Sequence, residues 1–151
     1  MKKLMLCFCL VLTSVITKAQ SDQEGIKAAI NQFFDGMRNT DSTLIKAVIH
    51  ENCTLRSVAR SKEGETVINE EKIQGFIKSV GTKREGIKLD ERLTSFDIKV
   101  DGDMGIAWTP YRFYVNDTFR HCGVNVFSLI KTKAGWKITA IMDTRRKDGC
   151  D

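Results

Sequence analysis

His121 is the side chain in this chain best suited to chemistry, because imidazole titrates near neutral pH and can serve as base, acid or ligand anchor. A rim histidine bonded to a backbone carbonyl is the alternative, and both roles stay open. Cys122 follows directly, but adjacent residues of a strand point to opposite faces. We therefore expect no Cys–His nucleophile pair and predict a disulfide or an interface thiol at Cys122.

Metal and cofactor sites have little support in the sequence. The two histidines, His50 and His121, are far apart and give no ligand spacing for a metal. Glycine-rich phosphate loops, Gly-x-Ser-x-Gly and Cys-x-x-Cys are all missing from the sequence. We predict neither a metal nor a cofactor.

The first nineteen residues have the pattern of a secretory signal peptide. Lys2 and Lys3 precede an apolar run, residues 4–16, and the small residue Ala19 marks the expected cleavage point. The run is shorter than the ~20 residues that a membrane-spanning helix needs. We predict a signal peptide at residues 1–19, one domain at residues 20–151, an exported protein that is periplasmic or secreted, and no stable membrane anchor.

The net charge of +5 owes much to that leader. Residues 1–19 contain three lysines and no acid, so their removal lowers the formal charge from +5 to +2. The most basic stretch that remains, residues 145–147, is followed at once by Asp148. Nucleic-acid binding needs a clustered basic face, so we expect no nucleic-acid partner.

Three cysteines follow the leader: Cys53, Cys122 and Cys150. An exported compartment permits disulfides, and three thiols allow one intramolecular bridge at most. Cys150 can reach either Cys122 or Cys53, and a Cys122–Cys150 bridge is one candidate. Three idle or buried thiols are the alternative.

Apolar periodicity predicts three helices. The first begins at a capping box on Ser21 and ends near Arg38, and the second is capped by Asp41. The third is capped by Asn69 and ends at Gly81. The apolar stripe of the first helix consists of Ile26, Ala29, Ile30, Phe33, Phe34 and Met37.

Strand patterns occupy residues 54–60 and the chain from Ile87 onward, with a bulge near Thr94-Ser95. Pro110 indicates a sheet edge or another bulge. Tight turns are predicted at Asp101-Gly102, Asn116-Asp117 and Lys133-Ala134-Gly135. Helices followed by an antiparallel meander indicate an α+β fold.

This order of elements, with Gly135-Trp136-Lys137-Ile138 opening the last strand, resembles the nuclear transport factor 2-like (NTF2-like) superfamily over residues 21–146. It is most similar to exported bacterial SnoaL-like and lumazine-binding-like domains. The resemblance implies a cone-shaped antiparallel sheet wrapped around the N-terminal helices, as in a cystatin-like α+β barrel, with a pocket at the open end. It also implies a homodimer through the outer sheet face. Function varies within such folds.

Turn positions predict the strand register and hence the pocket face. If Val115 pairs with Thr118 and Lys131 with Trp136, the polar residues of the more apolar face gather at one end. The opposite face then carries Tyr111, Cys122, Asp143 and Arg145, and a bulge at Pro110 would exchange Tyr111 and Arg112. The predicted ligand-binding residues are Trp108, Arg112, Tyr114, His121, Asn125 and Thr144.

We expect this pocket to bind a small, partly apolar molecule, with Trp108 as a stacking wall, Arg112 as an anion contact, and His121 and Asn125 as orienting hydrogen-bond partners. An isomerase, dehydratase or hydrolase is the first alternative, with His121 as the catalytic candidate. The predicted inward face holds no buried carboxylate, since Asp35 and Asp97 are poor substitutes, and this counts against isomerase chemistry. A non-catalytic dimerisation module is the second alternative.

Overall fold

A computed structural model describes residues 2–82 and 85–150, with side chains from residue 20 onward in these ranges. The fold combines helices with a mostly antiparallel, curved and unclosed sheet of order β2-β1-β7-β6-β5-β3, in which β4 also pairs with β5 and β1 runs parallel to β7. The α+β cone fold is confirmed. The elements are α1 (Lys2–Asn39), α2 (Ser42–Val48), β1 (Ile49–Arg60), β2 (Thr66–Lys72), α3 (Ile73–Gly81), β3 (Leu89–Leu93), β4 (Asp97–Asp101), β5 (Met104–Val115), β6 (Thr118–Thr132) and β7 (Gly135–Thr144).

Helix α1 buries the predicted apolar stripe from Ile26 to Met37 against the concave face of the sheet. Ser21 does not begin the helix as predicted, because α1 is continuous across it and no Gly or Pro precedes Gly25. The predicted signal peptide, residues 1–19, lies outside the residues whose side chains are described. Within the described ranges, no helix combines the length and apolar character needed to cross a bilayer.

Of the caps predicted for the two short helices, one is confirmed and one is wrong. The Asp41 carboxylate accepts a hydrogen bond from the backbone N–H of Thr43 at 2.8 Å, so the cap of α2 is confirmed. The predicted cap at Asn69 is wrong, because Asn69 pairs with Ser57 as part of β2. Cross-strand pairing outweighs the capping pattern here, and an Arg56–Glu70 ion pair of 2.8 Å joins the two strands.

Pro110 lies inside β5 and not at the edge of the sheet. Leu93 pairs with Tyr111 and Asp97 with Trp108, so one extra residue separates β3 from β4 opposite Pro110. The predicted bulge near Thr94-Ser95 is therefore confirmed. The Pro110 carbonyl accepts a hydrogen bond from the backbone N–H of Thr94 at 2.9 Å. Because β3 ends and β4 begins opposite Pro110, no strand pair needs the backbone N–H that proline lacks.

Two further bulges shift the register of the long strands by one residue each. The predicted pairs Val115–Thr118 and Lys131–Trp136 are present, but Arg120 has no partner on β5 and Thr139 none on β6. As a result, His121 pairs with Phe113, whereas an unbroken register from the Val115–Thr118 pair would place it opposite Arg112. A one-residue shift exchanges the two faces of a strand beyond the bulge.

Candidate functional site

A cavity of about 670 Å³ lies between helices α1 and α3 and the concave face of the sheet. This volume is typical of small-molecule sites. Phe33 and Phe76 stack with ring centroids 5.5 Å apart, and Phe34 meets Phe33 edge to face at 5.2 Å. Together these rings form an aromatic wall on the helical side. The apolar lining is completed by Met37, Leu55, Leu89, Phe113 and Ile141.

Polar side chains from strands β1, β3, β5, β6 and β7 also line the cavity. Asn125 pairs with Asp143, which in turn pairs with Ser57, so these three side chains form one row across the sheet. Glu91 pairs with Phe113, which pairs with His121, and this gives a second row. The polar cluster, as we call it below, consists of Ser57, Glu91, Tyr111, His121, Asn125, Asp143 and Arg145.

Glu91 is the titratable centre of the polar cluster. Its carboxyl accepts a hydrogen bond of 2.6 Å from the side-chain amide of Asn125, which is itself buried. Burial raises the pKa of Glu91 to about 7; the Asp143 charge acts in the same direction, and the Asn125 hydrogen bond and Arg145 oppose it. A carboxyl with this pKa can both give and accept a proton near neutral pH.

Tyr111 lies beside Glu91 and is almost fully buried. Its hydroxyl donates a 2.9 Å hydrogen bond to the carbonyl of Thr144, and burial, with the negative charges of Glu91 and Asp143, raises the pKa of Tyr111. The phenol therefore stays protonated at neutral pH. It gives the cavity a neutral polar wall.

His121 packs its ring against Phe113, with centroids 4.9 Å apart, and meets Tyr111 edge to face. Burial lowers the pKa of His121, and the positive charge of Arg145 lowers it further against the opposing effect of Asp143. The imidazole is thus neutral at pH 7. It can accept or donate a hydrogen bond to a bound molecule.

An ion pair closes the β7 side of the polar cluster. The Arg145 guanidinium donates to Asp143 at 2.8 Å and to the Ser57 hydroxyl at 3.2 Å, and Ser57 also donates to Asp143. Asp143 is nearly buried, whereas Arg145 is largely exposed at the cavity mouth. The pair neutralises a carboxylate that would otherwise repel negative ligands.

Two of the six predicted ligand-binding residues, His121 and Asn125, line the cavity. The other four point away from it. Trp108 is 53% exposed on the convex face, the Arg112 guanidinium donates to the Cys150 carbonyl, Tyr114 lies under the Arg92 guanidinium, and Thr144 is exposed at the end of β7. The bulge at Arg120 turns the β5 residues outward, and the bulge at Thr139 does the same to Thr144.

The same bulges bring residues of the predicted outer face to the cavity. Tyr111, Asp143 and Arg145 line the cavity, and Glu91 supplies the carboxylate that the predicted face lacked. A signal for Glu91 existed in the sequence, because it alternates with Leu89 and Leu93, both apolar. A charge at an inward-facing strand position indicates a functional or paired group.

Cys122 and Cys150 form a disulfide, with their Cα atoms 5.7 Å apart, and the third cysteine, Cys53, is a buried free thiol. Burial raises the pKa of Cys53 to about 11, so it stays protonated. Among residues 20–82 and 85–150, no group of three or more His, Cys, Asp or Glu side chains is arranged to hold a metal ion.

A family model described as "Putative lumazine-binding" matches residues 21–142. The chain belongs to this family. Its fold is that of the NTF2-like superfamily, as expected from the order of elements. Among curated proteins, none is significantly similar to this member of the family.

Solved structures share the fold of this lumazine-binding family member at low sequence identity. An NTF2-like protein with a cystatin-like fold from Novosphingobium aromaticivorans has a TM-score of 0.71 at 14% identity, covering 93% of this chain and 91% of that one. An NTF2-like protein from Cytophaga hutchinsonii has a TM-score of 0.64 at 14% identity, covering 82% and 98%. A protein described as a "putative dehydratase" of the NTF2-like family from Streptomyces avermitilis has a TM-score of 0.63 at 13% identity, covering 84% and 97%.

Proposed function

We propose that this protein binds a small, partly apolar molecule in the cone cavity. The observation that carries the proposal is the cavity itself, in which an aromatic wall and a polar cluster line a space of about 670 Å³. Ligand sites of this kind combine a mainly apolar lining with a few polar groups that fix orientation. Phe33 and Phe76 can stack on a flat ring while Glu91, His121 and Asn125 bond its polar edge.

Lumazine is the first compound to test, because the family description names it. We expect calorimetric binding to the unaltered protein and at least tenfold weaker binding to Asn125→Ala, which loses a buried polar contact and the hydrogen bond to Glu91. Asn52→Ala, on the exposed start of β1, is the matched control and should bind normally. If lumazine and a panel of bicyclic aromatic ketones and alcohols all fail to bind, the proposal is wrong.

Proton-transfer catalysis in the same cavity is a second candidate, favoured by the pKa of about 7 at Glu91. In this role Glu91 removes a proton next to a carbonyl group of the substrate and returns it at another position. Neutral His121 donates a hydrogen bond to the oxygen that becomes negative. A solved structure of the same fold is described as a "putative dehydratase".

Deuterium exchange separates catalysis from binding. With 2-tetralone in D₂O, we expect the protein to accelerate exchange at the carbon next to the carbonyl, with a rate that rises through pH 7 as Glu91 ionises. Glu91→Gln should abolish the acceleration, whereas Glu51→Gln, on the exposed start of β1, should retain it. Equal exchange rates in the parent protein and in Glu91→Gln would contradict catalysis by Glu91 and leave ligand binding as the proposed function.

Homodimerisation through the convex face of the sheet is part of the proposed function. Trp108, Val126 and Met142 are neighbours in one row across β5, β6 and β7, and Ile106 and Met104 extend the exposed apolar surface along β5. The exposed fractions of 53% for Trp108 and 55% for Met104 are high for such large apolar side chains. Contiguous apolar surface of this kind is typical of an interaction site.

Analytical ultracentrifugation measures the proposed dimer directly. Trp108→Glu should convert a dimer to a monomer while the melting temperature of the monomer stays close to that of the parent. Ile68→Glu is the control, because Ile68 is 60% exposed on the edge strand β2, away from the row of Trp108. A parent protein that is monomeric at tens of micromolar contradicts the dimer.

Export completes the proposal. The leader pattern of residues 1–19 supports it, and a disulfide between Cys122 and Cys150 is typical of proteins in oxidising compartments. Mass spectrometry of the protein from its native host should find a chain that begins at Gln20. A cytosolic protein that retains Met1 to Ala19 would contradict export.

A further inference from the structure

The C-terminal segment, residues 144–150, crosses the end of β6 beside the polar cluster. Arg146 and Cys122 exchange backbone hydrogen bonds of 2.9 Å in both directions. Beyond this point Cys150 is joined to Cys122 by the disulfide, and the Arg112 guanidinium donates to the Cys150 carbonyl. The segment is therefore fixed to β6 by a covalent bond at its far end.

The C-terminal segment passes so close to β6 that the residue beneath it, Gly123, cannot carry a side chain. A Cβ atom at this position would lie 1.8 Å from the Thr144 carbonyl oxygen and 2.8 Å from the Tyr111 ring. The Thr144 hydroxyl also accepts the backbone N–H of Val124 at 3.2 Å. The chain thus passes directly over a residue without a side chain, and it brings the Thr144 carbonyl to the Tyr111 hydroxyl.

Arg145 lies between these two anchored residues. The backbone of Thr144 is held at Gly123 and Val124, and that of Arg146 is held at Cys122. The Arg145 side chain then reaches Asp143 and Ser57 at the mouth of the cavity. The segment that the disulfide fixes consequently supplies Arg145 of the polar cluster and the Thr144 carbonyl that accepts the Tyr111 hydroxyl.

We propose that the Cys122–Cys150 disulfide is a redox-sensitive strap that holds Thr144 and Arg145 at the polar side of the cavity, so that its reduction loosens this side of the site. A dithiol supplies two electrons and two protons: it becomes a disulfide, and Cys122 and Cys150 become thiols. Cys122 is 2% exposed whereas Cys150 is partly exposed, so the incoming thiolate attacks the Cys150 sulfur. Cys53 does not compete, since it is buried and protonated.

His121 reports on the strap without any ligand. The groups that face it are Glu91 from β3, Tyr111 from β5, and Asp143 and Arg145 from β7. Because burial and the Arg145 charge both lower the pKa of His121, loss of the strap should raise that pKa towards its ordinary value of 6.5. The pKa of His121 is measured by following the imidazole proton resonances by NMR as the pH is changed. His50, the other histidine of the chain, gives the second set of imidazole signals.

The experiment compares the oxidised protein, the protein reduced by dithiothreitol, and Cys150→Ser. We expect the His121 pKa to rise equally in the last two, and to stay unchanged in Cys53→Ser. Arg145→Gln should raise the pKa in the oxidised protein and reduce the further change on reduction. A disulfide that serves stability alone would lower the melting temperature on reduction and leave the His121 pKa where it was, and this result overturns the strap.

The effect on binding rests on the proposed function and is measured separately. Lumazine and 2-tetralone should bind the reduced protein and Cys150→Ser at least fivefold more weakly than the oxidised protein. If neither compound binds the oxidised protein, the proposed binding function is contradicted for these ligands, and the His121 titration still decides whether the strap exists. Equal affinity in both redox states, with measurable binding, overturns the strap's control of the site.

Discussion

Two neighbouring rows on opposite faces of the β5–β7 sheet differ in residue type and in surroundings. On the convex face, Trp108, Val126 and Met142 form an apolar row in which Trp108 and Met142 are exposed to solvent. On the concave face, one residue further along β5, Thr109 begins a row with Asn125 and Asp143, and the last two line the cavity. Hydrophobicity alone would bury the apolar row and expose the polar one, the reverse of what is found. The bulges at Arg120 and Thr139 decide which row meets the helices.

The largest difference between the faces should appear in stability. Phe127 is fully buried on the concave face, where its ring meets Phe33 and Phe34, so Phe127→Ala should cost about 3–5 kcal/mol of unfolding free energy. Trp108→Ala, on the convex face, should change the stability of the monomer by less than about 0.5 kcal/mol. Urea unfolding at a concentration where the protein is monomeric measures both. Similar losses would mean that the face assignment of β5 is wrong.

The pH dependence of stability tests the concave face next. Because the pKa of Glu91 is about 7 in the folded protein and ordinarily 4.5, the folded state holds the extra proton between these values. Stability should therefore fall as pH rises from 4.5 through 7, by at most roughly 3 kcal/mol at 1.36 kcal/mol per pH unit. Glu91→Gln should lack this loss and be the more stable form at pH 8. Parallel pH profiles for parent and variant would contradict the burial of this carboxyl.

The two tyrosines give the smallest and most closely matched test. Tyr111→Phe removes the hydrogen bond to the Thr144 carbonyl and should cost about 1 kcal/mol. Tyr114→Phe keeps the ring that contacts Arg92 and Phe119, and its hydroxyl has no hydrogen-bond partner in the described part of the chain. We therefore expect almost no change from this second variant in the same unfolding experiment. A larger loss of stability in Tyr114→Phe than in Tyr111→Phe would instead support the strand register expected from the turns alone.

The helical part and the turns could be read from the sequence because their signals are local. The 3.6-residue stripe of α1 and the Asn116-Asp117 turn, with φ of 51° and 60°, depend on residues close together in the chain. His121 and Asn125 were placed on the correct face because both lie on β6 beyond Arg120, on the apolar side of one alternating strand.

The rest of the site could not be predicted from local signals, because a bulge depends on how two strands that are distant in sequence pair with each other. Nothing local marks Arg120 or Thr139 as an unpaired residue, yet each exchanges the faces of every residue that follows it relative to the partner strand. Trp108, Arg112 and Tyr114 were consequently assigned inward and Tyr111 and Asp143 outward. The start of the third helix was misplaced for a related reason, since residues 66–72 pair with β1 and the helix begins only at Ile73.

The titration of Glu91 tests the account of the cavity most directly. The carboxyl carbon resonance of Glu91, assigned by its loss in Glu91→Gln, can be followed by NMR between pH 3 and pH 9, a range chosen to bracket both its ordinary and its expected midpoint. A buried carboxyl in the polar cluster predicts a midpoint of about 7. A midpoint at the ordinary value of 4.5 would place Glu91 in solvent and contradict the site.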